Sequence, residues 1–133
     1  MGYVLGIFFL FSIFKPAVLA KPKVHVTITN RLQDEKSVSI QCQCGDDDLG
    51  IHTIKNGGQI DWRFSYTIFG STLVYCDVEW DEGKGYRFDV YSYQRDYYGG
   101  RCRSECTWMI TENFPLCLHQ RTGIWEGLPF QSN

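Results

Sequence analysis

The chain has 133 residues, of which 44% are hydrophobic, 16% aromatic and 21% charged, with a formal net charge of −2. The aromatic content excludes a disordered chain, and the near balance of charge gives no basic excess of the kind nucleic-acid proteins carry. Six cysteines in so short a sequence point to a disulfide framework made in an oxidising compartment.

The first segment reads as a targeting signal. Gly2 to Phe14 is uncharged, and Val18-Leu19-Ala20 places small or short side chains at the −3 and −1 positions of a cleavage site. That pattern predicts a secretory signal peptide over residues 1–20. The apolar run is shorter than the roughly 20 residues that a membrane-spanning helix needs. A secreted, extracellular and soluble mature chain is expected, with no membrane insertion and no nucleic-acid partner. Asn30, Asn56 and Asn113 lack a hydroxyl residue two positions on, so no N-glycosylation is expected.

Short alternating runs follow in chain order. Val24, Val26 and Ile28 alternate with polar residues, as do Val38, Ile40, Cys42 and Cys44. The same period-two pattern recurs at Ile60–Tyr66, Val74–Trp80, Tyr86–Tyr91 and Cys106–Ile110, and Ile51–Lys55 and Leu116–Gln120 are further candidates. This is the period of half-buried strands. Turn residues separate the runs: Gly45-Asp46-Asp47-Asp48, Asn56-Gly57-Gly58, Glu82-Gly83-Lys84-Gly85 and Gly99-Gly100. The pattern predicts an all-β protein, an antiparallel β-sandwich of about seven or eight strands, disulfide-bridged. One domain is expected over 21–121. A tail over 122–133, carrying Gly123, Gly127 and Pro129, is expected to be loosely held and dispensable for folding.

Cys42, Cys76 and Cys106 fall in phase with the apolar faces, where two cysteines on facing sheets can bridge a sandwich core. Cys42-x-Cys44 and Cys102-x3-Cys106 do not match the C-x2-C knuckles of zinc sites, so no metal and no cofactor is expected. Trp62, Trp80 and Trp108 are in phase with core residues and read as filling.

A longer-range order of motifs carries a resemblance. Cys42-x3-Asp46-Asp47-Asp48-Leu49-Gly50-x-His52 is followed by Trp62-Arg63-Phe64, Phe69-Gly70-x-Thr72-Leu73 and Tyr75-Cys76-x3-Trp80. Then come Phe88-Asp89-Val90-Tyr91, Arg95-Asp96, Arg101-Cys102, Cys106-x-Trp108-x-Ile110 and Cys117. This order resembles the plant self-incompatibility protein S1 family, related to poppy stigma S-proteins, from about Val24 to Cys117. The resemblance implies a secreted plant protein with a small disulfide-bridged sandwich. Founding members act as stigma ligands recognised by a pollen surface receptor, so a receptor protein is the implied partner; a monomer is expected. Among the cysteines that match the family, the pairs Cys42–Cys117 and Cys76–Cys106 are expected, with Cys44–Cys102 as a third; the alternative exchanges Cys106 and Cys117. Departures are Phe114-Pro115-Leu116-Cys117 in place of a Gly-Pro-Cys, the additional Cys44, and the sixteen residues that follow Cys117.

Catalysis has weaker support than recognition. Asp46, Asp47 and Asp48 lack the spacing of a calcium loop and read as a solvated turn or a partner-binding acidic patch. Asp77 and Glu79 share one strand face, the outward one, and are read as surface charge. His25, His52 and His119 are scattered, with no Ser-His-Asp or Cys-His order. The alternative is a secreted cell-wall polysaccharide hydrolase or carbohydrate-binding protein, which needs acids and aromatics around one groove. The favoured reading is a non-enzymatic signalling ligand. Its expected contact loop is Tyr93–Arg101, exposed because its polar centre resists burial, with Tyr97, Tyr98 and Arg101 as contacts and Arg95 and Asp96 as scaffold. Tyr91 and Tyr93 are read either as part of that hot spot or as covering the outer sheet face.

Overall fold

The structure is a computed structural model that describes residues 23–45, 47–65 and 73–133. The segment read as a secretory signal, Asp46 and most of the Phe69–Leu73 motif lie outside the described residues. Eight strands follow the alternating runs: β1 (Lys23–Asn30), β2 (Val38–Cys44), β3 (Asp47–Ile54), β4 (Gln59–Ser65), β5 (Leu73–Trp80), β6 (Lys84–Ser92), β7 (Glu105–Ile110) and β8 (Pro115–Leu118). Two short strands, β9 (Trp125–Gly127) and β10 (Gln131–Ser132), complete the fold. The helical content is one six-residue π-helical segment, Tyr93–Tyr98, among the described residues.

Two five-stranded sheets face each other, one in the order β4-β1-β7-β8-β9 and the other β10-β6-β5-β2-β3. All described pairings are antiparallel except β1 with β7, where Val26 faces Cys106 and Ile28 faces Trp108 in a parallel register. The core forms as the alternation dictates. Val24, Val26, Ile28, Val38, Ile40, Val74, Val78, Ile110 and Trp108 are buried, while the intervening residues face outward. Trp80 is buried and Trp62 is packed against the core from a half-buried position.

Buried Asn30 ends β1 and fixes the turn beyond it. Its Nδ2 donates to the carbonyls of Lys36 and Ile54, both at 2.9 Å, and its Oδ1 accepts from the Leu32 N–H at 2.9 Å. A buried amide is tolerable only when its donors and acceptor are filled in this way.

Four expectations are corrected. The bridges are Cys42–Cys76 and Cys102–Cys106, and the Cys44 and Cys117 thiols are free. The expected pairs assumed bridges across the core. Instead β2 and β5 are neighbours in one sheet, which sets Cys42 directly opposite Cys76 with Cα atoms 4.0 Å apart. Cys102 and Cys106 are close because the chain bends between them.

Tyr91 and Tyr93 do not cover the outer face; both are buried. The β5–β6 register pairs Val74 with Tyr91 but Tyr75 with Asp89, so Val90 is an extra residue in the ladder. This bulge lets Val90 and Tyr91 both enter the core and shifts Tyr93 inward as well. The Asp47-Asp48 pair is strand and not turn: it starts β3, opposite Cys44 and Gln43. Asp48 accepts from the Gly50 N–H at 2.8 Å and from Gln41 Nε2 at 2.9 Å.

The tail is part of the sandwich. β9 pairs with β8, β10 pairs with β6, and Leu128 between them is 8% exposed. Residues 125–132 therefore connect the outer strand of one sheet to the outer strand of the other. Gly and Pro break the tail into two short strands without preventing either.

Candidate recognition end

The strand registers bring the candidate segments to one end of the sandwich. Cys44 faces both Asp47 and Val74, Val74 faces Tyr91, and Leu73 faces Ser92. The acidic start of β3 and the Tyr93–Tyr98 segment are therefore at the same end of one sheet. In the other sheet, Glu105 faces His25 at the start of β7, and Leu118 faces Trp125 where β8 hands over to β9. Gln120 N–H donates to the Arg101 carbonyl at 2.8 Å, which joins the β8–β9 turn to the loop after the π-helical segment.

The bulge at Val90 organises this end. Its carbonyl, freed from the ladder, accepts the Trp108 indole N–H at 2.9 Å, linking the two sheets. Phe88 packs on Trp108 with ring centroids 4.9 Å apart. Arg95 reaches back over the same ring, its guanidinium carbon 5.6 Å from the centroid, and Nη2 donates to the Asp89 carbonyl at 2.8 Å.

Asp96, expected in an exposed polar loop, is fully buried. Its cost of burial is offset by three donors. Arg95 Nε and Nη2 each approach a carboxylate oxygen at 2.8 Å, and the Ser92 N–H donates to Oδ2 at 2.8 Å. Gly99 closes the segment by donating to the Gln94 carbonyl at 3.0 Å, and a Cβ there would stand 2.5 Å from the Arg95 carbonyl oxygen. Glycine is required at that position by contact alone.

The candidate contact residues divide accordingly. Tyr98 is 75% exposed and projects from the segment. Tyr97 is half-buried, stacked on Tyr93 at 5.0 Å with an interplanar angle of 19°, and it lies 5.3 Å beneath the Arg103 guanidinium. Arg101 is largely covered, and its Nη1 meets Glu126 Oε2 at 2.8 Å, which ties the loop to β9. The Arg101 hydrogen bond holds the Glu126 carboxyl below its ordinary value. Asp47 and Asp48 are exposed at the β3 corner. Arg103, Gln120 and Arg121, not singled out from sequence, line a cleft beside Gly100 at this same end. The cysteine loop around Arg103 was the one signal in the sequence pointing to them.

The remaining candidates are engaged elsewhere. Asp77 forms a two-bond ion pair with Arg87, at 2.8 and 3.0 Å, on the outer sheet face. His25 sits between Glu105 and Asp61, at 2.9 and 2.8 Å. His52 Nε2 contacts the Leu49 carbonyl at 2.9 Å and the ring stands edge-on to Trp62. Each of these spans neighbouring strands or closes a local turn.

Comparison with known proteins places this architecture. The family profile of plant self-incompatibility protein S1 matches residues 25–127. Self-incompatibility protein S1 of Papaver rhoeas is 36% identical over 107 residues, covering 79% of this chain and 75% of that protein. S-protein homolog 3 of Arabidopsis thaliana is 40% identical over 81 residues, covering 61% of this chain and about half, 52%, of that protein. A solved structure of self-incompatibility protein homologues, described as small, highly stable, secreted proteins from plants, superposes with a TM-score of 0.62 at 11% identity. It covers 86% of this chain and 98% of that one, and so shares the fold. The all-β two-sheet fold, the two disulfides and the matched span agree: the chain belongs to the plant self-incompatibility protein S1 family of secreted proteins.

Proposed function

We propose that the protein is a non-enzymatic signalling ligand that presents the loop end of its sandwich to a cell-surface receptor. In this reading residues 1–20 are its secretory signal. Tyr98 and the accessible part of Tyr97 are the principal contacts. Arg95, Asp96 and Arg101 hold the loop, and Asp47 and Asp48 form a second, acidic corner of the same surface; Asp46, the third acid of that run, lies outside the described residues. The supporting observation is the contrast within one segment: Tyr98 is 75% exposed while Tyr93 and Asp96, earlier in the same segment, are buried. A rigid, preorganised aromatic on a scaffolded loop is the usual form of a binding hot spot. The kinship with a poppy self-incompatibility protein supports a role in pollen–stigma or other plant cell–cell recognition.

The test is Tyr98→Ala, alone and with Tyr97→Ala, in folded protein, read by receptor binding or by response of recipient cells. A hot-spot residue gives a loss of about thirtyfold or more on truncation. Full activity of both variants overturns the reading.

A further inference from the structure

The loop end carries two guanidinium groups that no carboxylate of the described residues neutralises. Arg87, Arg95 and Arg101 are paired with Asp77, Asp96 and Glu126. Arg103 and Arg121 are exposed, have no ion pair among the described residues, and line one cleft of about 370 Å3 with Gly100 and Gln120. In a chain of net charge −2 this is a local reversal of sign.

The two arginines come from different loops that are fastened together. Arg103 lies inside the short loop closed by Cys102–Cys106. Its Nε donates to the Tyr97 carbonyl at 3.0 Å while its plane covers the Tyr97 ring, which leaves the Nη edge as the free part of the fork. Arg121 stands at the tip of the β8–β9 hairpin. His119 Nδ1 accepts from the backbone N–H groups of Arg121 and Thr122, both at 3.3 Å, and shapes that tip. Gln120 bridges the loops: Nε2 donates to Ser104 Oγ at 2.8 Å and Oε1 accepts from the Ser104 N–H at 3.3 Å. The backbone bond from Gln120 to Arg101 adds a second tie. Two planar cations lining one cleft, carried by a disulfide loop and a hairpin turn, supply the donor forks that a carboxylate accepts.

We infer that this cleft receives an aspartate or glutamate side chain from an acidic peptide segment of the partner, anchored between Arg103 and Arg121. The inference rests on the loop-end reading above and names the chemistry of its partner. A peptide is favoured over an acidic polysaccharide because the cleft is lined by only four residues, one of which, Gly100, lies two positions beyond the exposed Tyr98, which fits one anchored side chain and not an extended run of charges. Charge at this corner also sets orientation, since the β3 corner of the same end carries Asp47 and Asp48 and repels the same segment.

The experiment titrates the full chain with a hexaglutamate peptide and, separately, with oligogalacturonate, following backbone amide shifts and affinity. Shifts at Gly100, Arg103, Gln120 and Arg121 are expected on adding the peptide. Arg103→Gln with Arg121→Gln is expected to weaken peptide binding by about tenfold or more, and added salt to weaken it further. Arg63→Gln, on β4, is the charge control and is expected to bind as the native chain. Arg121→Glu alone gives a second variant at an exposed turn position. Peptide affinity unchanged in both cleft variants overturns the inference, as does binding of oligogalacturonate with none of the peptide. If Tyr98→Ala abolishes receptor response while the arginine variants keep it, the receptor-ligand reading stands and the carboxylate cleft falls. If Tyr98→Ala keeps full response both alone and with Tyr97→Ala, the receptor-ligand reading itself falls.

Discussion

Arg95 and Asp96, adjacent in the chain, form a two-bonded ion pair just before the exposed Tyr98 in sequence, with both N–O distances 2.8 Å and the carboxylate fully buried. Neighbouring residues on an extended chain point apart, so this contact needs the tight turn of the π-helical segment. The pair in turn fixes that segment, because Arg95 also holds the Asp89 carbonyl and Asp96 also holds the Ser92 N–H.

Asp96→Ala is expected to destabilise the fold by about 3 kcal/mol, since it strands a half-buried guanidinium and an amide donor. Thermal or denaturant unfolding measures the loss. A change below about 1 kcal/mol, the usual limit for surface pairs, would show that the pair lies outside the folded unit.

The two disulfides are expected to differ in what they contribute. Cys42–Cys76 closes 34 residues and Cys102–Cys106 closes four. Chain-entropy arguments give about 4 kcal/mol for the first and about 2 kcal/mol for the second. Unfolding of the Cys42→Ala/Cys76→Ala and Cys102→Ala/Cys106→Ala variants measures both, and a larger loss from the short loop would reverse the ranking.

The free thiols are expected to react unequally. Burial pushes the Cys117 thiol up to about 12, and Cys44 is raised more modestly, by burial and by the Asp47 charge. The thiolate is the reactive species, so a thiol reagent at neutral pH labels Cys44 first and Cys117 only as the protein opens. Mass mapping of the labelled chain distinguishes the two; equal rates in folded protein would contradict the burial of Cys117.

Leu128→Ala is expected to cost about 2–5 kcal/mol, the range for a buried leucine truncated to alanine. Deletion of 124–133 is expected to cost more, because it removes Leu128 together with both short pairings. Native-like unfolding of the deletion protein would return the tail to a loose appendage.

Acid is expected to weaken the β9 attachment. Glu126 is held below its ordinary 4.5 by the Arg101 hydrogen bond, so the pair adds stability above that value and loses it as pH falls through the lowered one. Asp81, lowered by its Lys36 hydrogen bond, behaves in the same way below 3.8. The melting temperature of the native chain should drop between about pH 5 and pH 3, and Glu126→Gln should flatten part of that drop. An identical slope in the variant would place Glu126 in solvent.

The strand phases were legible because each run alternates strictly between a buried and an exposed face. Val26 and Trp108 could be assigned to the core from position alone. Tyr91 and Tyr93 could not, because an extra residue at Val90 leaves the sequence pattern unchanged while reversing every face beyond it. Cysteine pairing was hidden for another reason: Cys42 meets Cys76 only because β2 lies beside β5, and strand order is a property of the whole chain. Asp96 was misplaced because its burial depends on Arg95 folding back upon it. Arg103 and Arg121 meet through two loops with no shared motif, so only the assembled fold brings them together.

The parallel contact between β1 and β7 has a bearing on how the chain assembles. β1 leaves the ribosome first among the described strands, yet it lies between β4 and β7. One of its two ladders cannot form until Glu105–Ile110 has been synthesised, which makes this the most non-local of the described strand pairings. The β2, β3, β5 and β6 strands need no such wait, and Cys42 can find Cys76 within them. The β6-β5-β2-β3 part of that sheet is therefore positioned to form as a disulfide-locked template while the β7 side of β1 stays open, and β10 joins β6 only when the end of the chain arrives. The loop end draws its parts from both sheets, so the surface proposed for recognition is assembled only after β7 and the β8–β9 turn have been added.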